Sequence, residues 1–69
     1  MLKENQVWEN KIKVAKLEKH NGGMQALIFK IKCGKLHFLD IIHSDNKDIE
    51  VFLKRAKMHP TNKILTISE

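Results

Sequence analysis

The sequence predicts an α+β domain: a three-stranded antiparallel β-meander, then one amphipathic helix packed on one sheet face, then a short C-terminal strand, in the order β-β-β-α-β. Three observations predict it. Leu27, Phe29, Ile31 and Cys33 recur at every second position with Lys30 and Lys32 between them, the pattern of a half-buried strand. Asn21-Gly22 and Gly34-Lys35 flank that run as candidate two-residue turns. Ile49, Phe52, Leu53 and Ala56 fall at i, i+3, i+4 and i+7, one stripe of a helix.

Residues 11–19 form the expected first strand, with an imperfect alternation through Ile12, Val14 and Leu17. Asn21-Gly22 suits a type I′ turn because both residues tolerate positive φ. It sets Val14 opposite Phe29 and Ile12 opposite Ile31. Gly34-Lys35 fits a type II′ turn into a third strand, Leu36 to Ile42, with Cys33 opposite Leu36, Ile31 opposite Phe38 and Leu27 opposite Ile42. Both turns put the apolar residues Ile12, Phe29, Ile31 and Phe38 on one side, where the helix is expected to pack.

Ser44-Asp45-Asn46 offers N-cap residues for that helix. Acids lie early (Asp45, Asp48, Glu50) and bases late (Lys54, Arg55, Lys57), complementing the macrodipole, and Pro60 is the expected stop. Residues 63–68 read as the last strand, with its neighbour in the sheet left open. Residues 1–10 are a segment for which a helical turn and a strand extension both remain open.

A chain of 69 residues and 8.1 kDa has room for one domain, taken as 1–69. The longest apolar run, Ala26 to Phe29, is far too short for a transmembrane helix, and Met1 to Gln6 contains no apolar core of a secretory signal. Cys33 is the lone cysteine, so no internal disulfide forms and a reducing, cytoplasmic setting is expected.

Thirteen Lys and Arg stand against eight Asp and Glu, a net charge of +5. The excess is concentrated: residues 10–39 hold seven lysines and a single acid, Glu18. Strand parity gathers Lys11, Lys13, Lys30, Lys32 and His37 on the face away from the expected helix, with Lys35 at the turn. Like charges opposite one another across a ladder oppose folding, so a row of them suggests use. Ammonium groups on a flat sheet match a phosphodiester backbone or an acidic protein surface. The plainer alternative is a solvated lysine face that follows from a lysine-rich composition. The rest of that face (Ala15, Leu17, Ala26, Ile28, Leu39, Ile41) is apolar and reads either as a contact surface, including a homodimer, or as ground covered by Val7, Trp8 or the tail.

No catalytic, metal or cofactor constellation is expected. His37 and His43 lie six residues apart on one strand, about 20 Å, and Cys33 falls on the opposite side from both. Asp40 has the parity of the helix-bearing side and is read as a cap for the helix N-terminus. Phe29, Phe38 and Phe52 have core parity, which leaves Trp8 as the one candidate for base stacking, or else a residue at the core edge. A single arginine limits guanine reading. The βββα order with a basic sheet face is similar to the sheet-type DNA-binding modules of plant transcription factors and phage integrase arms. That similarity is one of element order, with no motif shared and no residue carried across.

The expected function is therefore a small non-enzymatic module contacting nucleic-acid backbone through Lys11, Lys13, Lys30, Lys32, Lys35 and His37. The alternative is a small regulator or inhibitor, of phage or mobile-element origin, acting through protein contact.

Overall fold

Two left-handed dipeptides shape the three long strands of this computed structural model, which describes residues 2–63. Asn21 (φ 46°) and Gly22 (φ 79°) turn β2 (Lys13–His20) into β3 (Gly23–Lys32), and Cys33 (φ 53°) and Gly34 (φ 74°) turn β3 into β4 (Lys35–Ser44). The first turn sets the register expected of it, with Val14 opposite Phe29 and Ala15 opposite Ile28. The second uses Cys33-Gly34 rather than Gly34-Lys35. A type I′ turn wants positive φ at both central positions and matches the twist of the strands, so the glycine takes the second position and the cysteine accepts the first. The change moves Phe38 from Ile31 to Phe29, which it meets edge to face with ring centroids 5.8 Å apart.

A bulge follows immediately. Phe29 pairs with Phe38 but Ile28 pairs with Asp40, so Leu39 is an extra residue in β4. Beyond it every β4 side chain changes face. Ile42 and Ser44 join the side of Ala26 and Met24, whereas Ile41 and His43 join the side of Leu27 and Gln25.

The N-terminal segment resolves as a strand extension. β1 (Val7–Glu9) pairs with β2, and the pairing continues before it through Asn5, Gln6 and Leu17. β5 (His59–Thr61) adds on the other side of β1, giving an antiparallel five-stranded sheet of order β4-β3-β2-β1-β5. Pro60 lies in this edge strand opposite Trp8, where its missing N–H costs no internal ladder bond. The expected strand at 63–68 lies, beyond Lys63, outside the described residues.

The helix α1 (Asn46–Arg55) begins at Asp45, whose side chain accepts from the Asp48 N–H at 2.9 Å. Pro60 does not end it. Lys57 takes a left-handed conformation (φ 59°), the Met58 N–H donates to the Leu53 carbonyl, and the Lys57 N–H donates to the Lys54 carbonyl. These bonds make a Schellman motif with lysine in the position usually held by glycine.

The helix packs on the face opposite to the one expected. Ile49 and Leu53 are fully buried against Trp8, Ala15, Leu17, Ala26 and Ile28, with Leu2, Met24 and Met58 completing the core. Phe52 is exposed and Ala56 is half-buried, so the buried stripe is narrower than the spacing suggested. Ala15 and Ala26 give the helix a shallow seat, and the bulge delivers Ile42 to the same side. Both sheet faces carry alternating apolar residues, so periodicity alone does not choose between them. Among the described residues, no helix is long and apolar enough to cross a membrane.

Candidate nucleic-acid interface

The β2–β3 register opposes Lys13 to Lys30, and the β3–β4 register opposes Lys30 to His37. One step outward, Lys32 faces Lys35 across the Cys33-Gly34 turn. These residues share the parity of Ala15 and Ile28, so the cations stand on the helix-bearing face, beyond the core, rather than on the face the helix leaves free. Lys13, Lys30, Lys32 and His37 thus share a face as expected, but it is the face that carries the helix, and Lys11, which precedes β2, enters no strand pair.

Helix direction adds to the group. Near its start, Asn46 lies beside Gly22 and Gly23. At its far end the Asn10 side-chain amide donates to the Ala56 carbonyl at 3.0 Å. Asn10 also orders the approach to β2, with its Oδ1 accepting from the Ile12 and Lys13 N–H groups at 2.8 and 2.7 Å. The helix therefore runs toward the lysine end. Lys11 and Lys57 both line one concavity there, with Asn10, Ile12, Ala56 and His59. Lys57 escaped the sequence reading because bases late in a helix are accounted for by its dipole. The signal that it belongs with the strand lysines is the chain reversal that brings the helix back along the sheet.

Elsewhere in the molecule four lysines are paired, while Lys3, Lys47 and Arg55 enter no ion pair among the described residues. Lys16 pairs with Glu18, Lys19 with Glu4, Lys54 with Glu50 and Lys63 with Glu9, at 3.7, 3.4, 3.4 and 2.7 Å. The Lys54 ammonium is the main reason that the Glu50 carboxyl titrates below its ordinary value. Lys11, Lys13, Lys30, Lys32, Lys35 and Lys57 enter no ion pair among the described residues. Glu9 lies one row from Lys13 but on the other face; Asp40, opposite Ile28, lies two rows from Lys30 and His37. Its Oδ1 accepts from the Ile41 N–H at 2.8 Å, and the residue is exposed. Asp40 does not cap the helix; Asp45 does.

The apolar group divides. Ala15, Leu17, Ala26 and Ile28 are buried beneath the helix and offer no outer surface, whereas Leu39 and Ile41 are exposed on β4. The exposed apolar surface of the sheet also includes Leu36, Phe38 at 56% and Ile12 at 57%, residues expected in the core. They become surface because the helix took the other face. Val7, Val14 and Phe29 on that side are nonetheless buried.

Trp8 is buried, and its indole N–H donates to Gln6 Oε1 at 3.0 Å, which removes it as a base-stacking platform. Cys33 sits exposed in a turn rather than in the core. Among the described residues, no three His, Cys, Asp or Glu side chains converge on a metal position. Comparison with family models, curated proteins and solved structures finds no match.

Proposed function

We propose that this chain is a small non-enzymatic binding module that carries nucleic-acid phosphate backbone on the cationic end of its helix-bearing face, through Lys11, Lys13, Lys30, Lys32, Lys35 and His37, with Lys57 beside them. The observation that carries the reading is the opposed Lys13–Lys30–His37 row, which enters no ion pair among the described residues. Repulsion across a ladder has a cost in the free protein and is relieved when phosphates replace solution counterions. Lysines act as point charges without bidentate base reading, so contact with DNA or RNA is backbone-dominated and weakly selective for sequence. The exposed Cys33 thiol suits a reducing, cytoplasmic setting.

Titration of fluorescent single- and double-stranded oligonucleotides at several salt concentrations tests this. About six phosphate contacts give a log–log salt slope of roughly −4 to −5. A slope near zero, or no binding at ~50 mM salt, overturns the reading.

A second reading has its own support in the exposed Leu36, Phe38, Ile41 and Ile12. An apolar patch of this kind suits protein contact, as in a small regulator or inhibitor, or in a homodimer. Light scattering of the wild type and of Phe38→Lys checks self-association. A monomer in both cases removes the homodimer.

A further inference from the structure

At the opposite end of the sheet from the lysines, and on its other face, β2 closes with His20 and β4 carries His43. The strand between them places Gly23 opposite His20 and Gln25 opposite His43. Gly23 sets no side chain between the rings, and the two imidazoles lie with centroids 4.4 Å apart, tilted by 44°. Both residues are exposed, so neither ring is held there by burial. Among the described residues the only hydrogen bond to either ring runs between His20 Nε2 and the Asn21 side-chain amide at 3.4 Å, longer than a strong bond of this type.

We propose that His20 and His43 form a two-imidazole site for a borderline divalent transition ion of the zinc, nickel or copper class. Neutral imidazole is the common protein ligand for these ions, and hard ions such as magnesium prefer oxygen. A tetrahedral ion with Zn–N bonds of about 2.0–2.1 Å needs its two nitrogens on the order of 3.3 Å apart. Exposed rings in near contact reach that separation by small side-chain rotations. The neighbouring Glu18 is engaged by Gln25 at 3.0 Å and Lys16 at 3.7 Å, so water fills the other coordination positions. The bound ion clips β2 to β4 across β3. This site is independent of the proposed nucleic-acid contact.

Zinc chloride titrated into tag-free protein tests the proposal, with histidine ring resonances followed by NMR and thermal unfolding by circular dichroism. The expected result is one ion per chain, ring shifts confined to His20 and His43, and a Tm rise of about 5–10 °C at zinc tenfold above Kd. His20→Asn and His43→Asn each lower the affinity at least tenfold, whereas His59→Asn leaves it unchanged. Both tested rings are exposed, and circular dichroism of each variant verifies the fold. No ring shift up to about 1 mM zinc, the weak end of specific affinity, or unaltered affinity in the His20 and His43 variants, overturns the proposal.

Discussion

The two halves of the helix-bearing sheet face are built from the same strands and do opposite things. Toward the Asn21-Gly22 turn, β2 and β3 present Ala15, Leu17, Ala26 and Ile28, on which Ile49 and Leu53 close. Toward the Cys33-Gly34 turn, the same strands present Lys13, Lys30 and Lys32, which the helix does not neutralise. Along each strand the change takes place within two residues, from Ala15 to Lys13 and from Ile28 to Lys30. In so small a domain, where total stability is of the order of 0.05–0.15 kcal/mol per residue, the apolar half must supply the folding energy and the cationic half draws on it. A binding surface can therefore sit on a small sheet only as far as its core extends.

Substitutions on either side of that boundary sharpen the contrast. Leu53→Ala, which opens a void at a fully buried position, is expected to lower stability by about 2–5 kcal/mol, enough to unfold much of the protein. Urea denaturation measures it, and a loss below ~1 kcal/mol would place the core elsewhere. Lys57→Gly acts at the boundary itself. It relieves a left-handed lysine at the helix end, with an expected gain of about 1 kcal/mol. It also removes one cation from the group, which makes the salt slope of oligonucleotide binding shallower by ~1. Stability rising while binding falls is the signature of a site that uses strain. Lys30→Gln has the smallest effect on folding, a gain of a few tenths of a kcal/mol from lost repulsion with Lys13. That gain should shrink in high salt, and urea melts at ~20 mM and ~500 mM salt compare the two conditions. A loss of stability would mean that Lys30 supports the fold rather than a ligand.

The two hairpins show why some of this was legible in the chain and some was not. Asn21-Gly22 determines its turn through local φ preferences, so the β2–β3 register and the opposition of Lys13 to Lys30 follow from sequence alone. Around Gly34 the glycine can occupy either central position. The pairing of Phe29 with Phe38 accompanies the choice of the second, and the Leu39 bulge then reverses the rest of β4. Nothing in Phe38-Leu39-Asp40 marks a bulge, because the extra residue is defined only relative to the partner strand. Ile41 and His43 consequently sit where strict alternation did not place them, and the His20–His43 contact depends on that displacement.

Local chemistry was enough to specify an α+β chain, a helix whose cap lies within Ser44-Asp45-Asn46, and a lysine group on one side of two paired strands, because caps, turns and side-chain alternation act over a few residues. Which side the helix covers was a different kind of choice. Both sheet faces were apolar enough to receive it, and the choice turned on how closely a helix could seat against Ala15 and Ala26 and on which side the bulge sent Ile42. Those are properties of packed surfaces, and they exist only once the strands have met.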